Sequence, residues 1–239
     1  LAKRLDDAFR QNEKRAHAIV EHHGTYLEFM GPQDGELVTK SLENVSQGVR
    51  LLNVRQHDKV TYATVFIPTG KESFFLKRIE EYGDPTRLSD KGAAPNEKLV
   101  SSIEDIRLAI VDSLWTGREE NRPGNERQWV EVWLRISKNE DGSYYQKYAD
   151  LMGDLGIRLR DRYILFPERM VTLVYANQDD LALLLDNCDT LAEIKEAPLA
   201  ASFFANLDAA DQREWVNDLL SRMSLVPGSS SVCILDTGI

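Results

Sequence analysis

The sequence contains little cysteine, no long apolar run and fewer basic than acidic residues. Its 239 residues include two cysteines, Cys188 and Cys233, which lie far apart in apolar surroundings. Their spacing fits neither a metal site nor a disulfide framework, so we interpret both thiols as reduced and buried. This usage predicts a cytoplasmic location. No apolar run is long enough to span a bilayer, so no transmembrane helix is expected.

The shortage of basic residues argues against two classes of partner. Lysine and arginine number 29 against 39 aspartates and glutamates, which gives a net charge of -10. Nucleic acids and anionic membranes both attract basic patches, so we expect neither as a partner. The sequence also lacks a glycine-rich phosphate loop, a His-Glu-x-x-His helix and a Cys-x-x-Cys pair. We therefore expect no cofactor and no metal.

Apolar residues make up 42% of the chain, enough for a sizeable core in one large or two ordinary domains. Residues 1–23 are strongly charged with a thin apolar stripe, which predicts an exposed N-terminal helix. An α+β domain is expected over residues 24–127. Its first predicted elements are a strand at 25–30, a short helix at 35–47 and a hairpin that turns at His57, Asp58 and Lys59. Two helices are predicted to follow. The first carries Phe75, Ile79 and Tyr82, and the second, longer one is capped by Asn96 and has the apolar stripe Leu99, Ile103, Ile106, Ile110 and Leu114.

The second half of the chain has the clearer pattern, and the glycine- and proline-containing loop at 116–127 separates it from the first. Residues 129–136 alternate apolar and polar or aromatic side chains, which predicts a strand with one buried face. A helix, two strands joined at Pro167, a helix capped by Asn177 and a last strand at 191–195 are predicted to follow. This β-α-β-β-α-β order over 128–198 is the ferredoxin-like arrangement. We interpret Trp129 and Trp133 as ordinary core packing.

The C-terminal part ends on a carboxylate. Residues 199–230 form a predicted helical linker, in which Asp208 caps a helix bearing Trp215, Leu219 and Met223. Residues 232–235 are an apolar run typical of a strand buried on both faces, and this run leads into Asp236, Thr237 and Gly238. A strand end holds a carboxylate rigidly, as a histidine general base requires, and Gly238 permits a sharp turn. The same triplet is also typical of a plain turn.

The run from Val232 to Ile239 resembles the first catalytic motif of the subtilisin-like serine peptidases, or subtilases. The resemblance implies that Asp236 is the triad aspartate, with Thr237 and Gly238 supporting the turn. In that family the histidine and serine follow the aspartate. All four histidines of this sequence precede Asp236. Aspartic peptidases also use Asp-Thr-Gly, so the triplet alone leaves both protease classes open.

The resemblance extends to the region before the motif. Many subtilases carry a ferredoxin-like propeptide that assists folding and blocks the active site, and residues 129–197 resemble that module in order and position. Residues 24–28, 40–43 and 129–134, together with Trp115, are similar to the N-terminal region of a group of bacterial intracellular subtilases, some encoded beside an AAA-type ATPase. The implied partners are the protein's own catalytic domain, a polypeptide substrate and such an ATPase.

The predicted architecture is therefore α+β: two ferredoxin-like (βαββαβ-type) α/β-sandwich units, then a helix and the first strand of a subtilase catalytic domain at 231–239. The chain begins at Leu1 without methionine and ends three residues after Asp236. We thus expect a fragment that is inactive alone. Whether a signal peptide precedes Leu1 in the longer protein is left open. The alternative function is a non-enzymatic, propeptide-like inhibitor or protein-interaction module.

Overall fold

The computed structural model describes residues 1–15, 24–89, 92–136, 143–197 and 208–222. The chain divides into two compact units, Leu1–Ala197 and Pro198–Ile239. The fold is α+β, as predicted, and the first unit contains two four-stranded antiparallel sheets. Within the described ranges, no helix is long and apolar enough to cross a membrane.

The first sheet has the strand order β2-β3-β1-β4. Its elements in chain order are helix α1 (Ala2–Arg15), strands β1 (Gly24–Met30), β2 (Arg50–His57) and β3 (Val60–Pro68), helix α2 (Ser73–Gly83) and strand β4 (Asp105–Leu108). The predicted hairpin is confirmed, because β2 and β3 are joined at Asp58 and Lys59, whose φ angles are 47° and 64°. Two successive residues with positive φ form the turn that matches the natural strand twist.

One face of the first sheet packs against helices. Leu27, Phe29 and Val65 are buried on this face together with Leu5 of α1 and Phe75 of α2. Alternate side chains of a strand point to opposite faces, so Tyr26, Glu28 and Phe66 lie on the other face of the sheet. The predicted helix containing Phe75 is therefore confirmed, and Phe75 and Ile79 pack in this core, whereas Tyr82 is exposed.

Two predictions for this region are wrong. The helix predicted from Asn96 to Leu114 is three separate elements: helix α3 (Glu97–Val100), strand β4 and helix α4 (Val111–Leu114). Ile106 and Leu108 are buried while Arg107 between them is exposed, which is strand periodicity. Pairing of β4 with β1 overrides the helical spacing of the apolar residues. The helix predicted at 35–47 is two 3-10 helices, Thr39–Leu42 and Val45–Gln47.

The second sheet contains every element predicted for it. These are strand β5 (Gln128–Arg135), helix α5 (Ser143–Asp154), strands β6 (Arg158–Phe166) and β7 (Arg169–Ala176), helix α6 (Gln178–Asn187) and strand β8 (Leu191–Glu196). The strand order is β6-β7-β5-β8. Counted along the chain, both sheets therefore place their second, third, first and fourth strands side by side.

Helices α5 and α6 cover one face of the second sheet. Val130, Val132 and Leu134 of β5 are fully buried there, in a core with Met152 of α5 and Leu184 of α6. The side chain of Asn177 accepts a hydrogen bond from the Asp180 amide at 2.9 Å, which confirms the predicted cap of α6. The periodicity of residues 129–134 thus predicts the buried face correctly.

The two sheets meet at a buried contact that we call the junction, and hydrogen bonds connect them there. The Tyr26 hydroxyl donates to the Cys188 carbonyl at 2.7 Å. The Asn53 amide donates to the Ala192 carbonyl at 3.1 Å. The Thr116 backbone amide donates to the Ile194 carbonyl at 2.9 Å, so the connecting segment runs along the edge of β8. Phe66 and Tyr26 share a core cluster with residues of the second sheet.

The second unit contains helix α7 (Ala209–Arg222). The Asp208 carboxylate accepts hydrogen bonds from the Ala210 and Asp211 amides at 2.8 and 3.0 Å, which confirms the predicted cap. Leu219 and Leu220 are more than half exposed on this helix. The predicted Met223 lies outside the described residues.

Candidate functional site

The predicted site residues Asp236, Thr237 and Gly238 lie outside the described residues, as does Cys233. His57 is the one histidine in the described ranges, and its side chain is 65% exposed beside Asp58 in the turn between β2 and β3. No group of three or more His, Cys, Asp or Glu that would hold a metal ion occurs among the described residues. The described ranges also contain exposed surfaces and buried polar clusters.

The most distinctive surface is the side of the second sheet that faces away from α5 and α6. We call it the outward face. Register places Trp129 beside Tyr175, and Trp133 beside Val171, on this side. Strand β6 adds Ile164 and Phe166 to it. The apolar and aromatic members of the outward face are Trp129, Trp133, Ile164, Phe166, Val171, Leu173 and Tyr175.

Aromatic contacts order the outward face. The rings of Trp133 and Phe166 are stacked, with centroids 5.7 Å apart and planes inclined by 7°. The rings of Trp129 and Tyr175 lie 5.3 Å apart. Ring pairs at these separations attract one another beyond their shared burial. The aromatic side chains are thus held in place while Ile164 and Phe166 stay 60% and 46% exposed.

Cationic side chains cover the tryptophans from the solvent side. The guanidinium of Arg160 lies 4.6 Å from the Trp129 ring centroid, and that of Arg158 lies 5.5 Å from it. The Lys195 ammonium lies 4.5 Å from the Trp133 ring centroid. Such contacts place a cation over the negative face of an aromatic ring. The outward face is therefore apolar in its centre and carries charges of both signs, because Glu131 and Glu193 lie on the same side and Glu193 pairs with Lys195 at 3.3 Å.

The interpretation of Trp129 and Trp133 as core residues is wrong. Both are partly exposed and lie on the face opposite the buried Val130 and Val132. The alternation of residues 129–135 already indicates the exposure of the two tryptophans, because it places aromatic and charged residues on one side of the strand and valines and leucine on the other. Aromatic residues generally occupy cores, but on this strand the alternation decides which side chains are buried.

A second cluster surrounds a buried carboxylate in the first sheet. Glu28 of β1 is fully buried and receives hydrogen bonds from the guanidinium groups of Arg55 and Arg107. The Arg107 Nε lies 2.6 Å from Glu28 Oε2, and the guanidinium of Arg55 lies over the Tyr62 ring. The three charged residues come from β1, β2 and β4. The pairing neutralises a charge that would otherwise be costly to bury, so the cluster is structural.

The junction contains a group of buried phenols and a thiol. Burial raises the pKa of Tyr26 well above its usual value, and Cys188 and Asp189 raise it further. Burial likewise raises the pKa of Tyr148, and it raises the pKa of the Cys188 thiol. Reactive cysteines need a lowered pKa and solvent access, neither of which Cys188 has. The phenols and the Cys188 thiol are therefore buried, protonated packing groups, and none of them is an activated nucleophile.

The outward face is thus a described surface suited to binding, and the two buried polar groups stabilise the fold. Comparison with known proteins adds no relative, because no family model matches the sequence and no curated protein is significantly similar to it.

Proposed function

We propose that this chain is the N-terminal region of a subtilisin-like serine endopeptidase. In this proposal the second sheet with α5 and α6 is a propeptide-type module that assists folding of the catalytic domain and blocks its active site. Asp236 belongs to the catalytic domain and orients the histidine of the triad. A histidine and a serine located after Asp236 in the longer protein complete the site.

The strand order of the second sheet is the observation that carries the proposal. A β-α-β-β-α-β chain whose strands lie in the order second, third, first, fourth is the ferredoxin-like arrangement. The first sheet has the same order, with 3-10 helices in place of the first crossover helix. We therefore propose two ferredoxin-like units in succession, which fits the place of a propeptide before a catalytic domain. Fold alone does not determine function, so a propeptide-type function also needs a surface on which the catalytic domain can dock.

The outward face supplies that surface. A propeptide-type module must leave one face of its sheet free for the catalytic domain, and here the face away from α5 and α6 carries ordered aromatic rings. Aromatic residues and arginine are enriched where proteins bind one another. Trp129 and Trp133 are the proposed anchors. A polypeptide substrate and an AAA-type ATPase are further proposed partners of the complete protein.

The proposal is tested by adding the 239-residue chain to a purified subtilisin-like peptidase that lacks its own propeptide. We expect peptide hydrolysis to slow at micromolar concentrations of the chain. Replacement of Trp133→Glu removes a central anchor and places a charge against the partner, so it should weaken inhibition at least about tenfold, a loss of roughly 1.4 kcal/mol.

The matched control is Tyr82→Glu, which introduces the same charge at an exposed aromatic on α2, in the first sheet's helical layer. This variant should inhibit as the unchanged chain does. Circular dichroism checks that both variants fold. An unchanged rate of hydrolysis at micromolar concentrations of the chain would count against a propeptide-type function.

The second candidate function is a propeptide-like inhibitor or interaction module that acts without any catalysis of its own. The observation that favours it is the ordered aromatic face of the second sheet, because binding through that face needs no catalytic residue. Both candidates predict inhibition through the outward face. They differ at Asp236, which matters for peptide hydrolysis by the complete protein in the first case only.

A further inference from the structure

We propose that a second copy of this chain pairs with strand β6, joining two second sheets into one continuous sheet of eight strands. The contact is antiparallel and runs along residues 163–166, which we call the edge segment. Strand β6 is the outermost strand of its sheet and pairs with β7 on one side. This inference rests on strand geometry and is independent of the proposed peptidase function.

The other sheet edges are protected against such pairing. At the edge of β8, Trp115 forms a parallel bridge with Ile194, and the Thr116 amide bonds to the Ile194 carbonyl. Strand β4 has four residues, and α1 lies against it, with Arg4 bonded to the Glu104 carbonyl. Strand β2 is interrupted by a bulge between Leu51 and Asn53. Short strands, bulges and covering segments are the usual means by which proteins block edges.

Strand β6 is protected along one half only. Its first half contains Arg158, Arg160, Asp161 and Arg162, and its register with β7 shifts between Leu159 and Tyr163. Its second half, the edge segment, has no charge, no proline and no bulge. The exposed fractions of Tyr163, Ile164, Leu165 and Phe166 are 38%, 60%, 47% and 46%. An uncharged, exposed edge of this kind is a template for pairing with another chain.

The register of the contact follows from the β6–β7 turn. Phe166 faces Arg169 across the two-residue turn at Pro167 and Glu168, and Ile164 faces Val171. In a two-residue hairpin the flanking residues form a hydrogen-bonded pair, and bonded pairs alternate along the strands. The backbone groups of Ile164 and Phe166 thus face β7. Those of Tyr163 and Leu165 face the free edge.

An antiparallel copy can therefore bond Tyr163 of one chain to Leu165 of the other, twice by symmetry, with the two Ile164 residues opposite each other. The edge segment contains no charged residue, so no like charges face one another within it. The segment is thus self-complementary in apolar character and hydrogen bonding. A twofold axis perpendicular to the sheet leaves both outward faces open on the same side.

The first test is the mass of the 239-residue chain in solution, measured by sedimentation equilibrium up to about 100 µM, because a small interface gives a weak dimer. We expect a reversible dimer. Ile164→Lys should abolish it, since two like charges would face each other across the axis. Val54→Lys is the control, because Val54 is an apolar residue 48% exposed on the edge strand β2.

The second test is a disulfide across the axis. In a chain carrying Cys233→Ser, Ile164→Cys should give a covalent dimer on mild oxidation, because opposite residues of a non-bonded pair come within reach of a disulfide. Val54→Cys should stay monomeric. A monomer at every concentration, or a dimer that Ile164→Lys leaves intact, would overturn the proposal. A monomer whose β6 edge binds an extended peptide would assign the edge to a different partner.

Discussion

Glu28 illustrates how a single residue can need several strands to be stable. Its carboxylate is fully buried on the face of the first sheet opposite α1 and α2. Two guanidinium groups, from Arg55 and Arg107, bind its two oxygens. The side chains of these arginines are 22% and 53% exposed, so water solvates part of the cluster. Neither the pairing nor the burial is visible from the sequence, because the two arginines are 27 and 79 positions away from Glu28.

We expect that Glu28→Gln destabilises the fold. The amide has no negative charge, so both arginines lose their ion pair while remaining partly buried. Breaking a buried pair typically costs 3–5 kcal/mol. We expect about 3 kcal/mol here, at the lower end, because the arginines are partly exposed. Urea unfolding followed by circular dichroism measures the difference in free energy of unfolding.

The control is Asp105→Asn, which removes a charge paired with Arg4 at 2.7 Å, where the two side chains are 32% and 55% exposed. Exposed pairs contribute little, so the loss should be under about 1 kcal/mol. Equal effects of the two substitutions would contradict the assignment of Glu28 as a buried, paired charge.

At the scale of elements, the segment that connects the two sheets lies along the outer edge of β8 and covers it. Trp115 is buried and bridges to Ile194, and the Glu196 carboxylate accepts a hydrogen bond from the Arg118 amide at 3.1 Å. Gly117 lies between these contacts. A Cβ atom at Gly117 would come within 1.7 Å of Glu196 Oε2 and 3.1 Å of the Glu196 backbone nitrogen. Only glycine therefore leaves the Glu196 carboxylate in its present position.

Gly117→Ala is expected to destabilise the fold by about 1–3 kcal/mol, because the methyl group must displace the Glu196 side chain from the Arg118 amide. Gly124→Ala in the same loop is the matched control. Nothing lies within 4 Å of a Cβ at Gly124, so this change should have an effect within about 0.5 kcal/mol. Urea unfolding curves of the two variants give the comparison, and equal stability of both would refute the close packing at Gly117.

Helices and strands were predictable from the sequence where the apolar residues followed a single period, either that of a helix or that of a strand. Residues 129–134 alternate without exception, and β5 follows them. Residues 99–114 instead carry apolar side chains at helical spacing, yet Ile106 and Leu108 belong to β4. The apolar residues of that stretch satisfy both periods in part, and the decisive factor was the pairing of β4 with β1, whose partner residues are 75 or more positions apart. Local patterns do not contain such long-range contacts.

At the scale of the whole molecule, two sheets with one strand order are joined by a buried junction, and the outward face of the second sheet is left open. The sequence predicted the order of elements in the second sheet but not the strand neighbours of the first sheet, because β4 was hidden in a predicted helix. It also did not predict the outward face as a binding surface. The alternation of residues 129–134 indicates which side of β5 is buried, but the ring contacts and cations that order the other side come from β6, β7 and β8 and are visible only in the structure.

The central claim is that Asp236 orients a catalytic histidine in a subtilisin-like peptidase. The most direct test is Asp236→Asn in the complete protein, with peptide hydrolysis and folding measured together. Because an amide cannot hold the required tautomer, kcat should fall by about 10⁴, or roughly 5 kcal/mol, with little change in folding. Near-normal hydrolysis by the Asp236→Asn protein would contradict the claim.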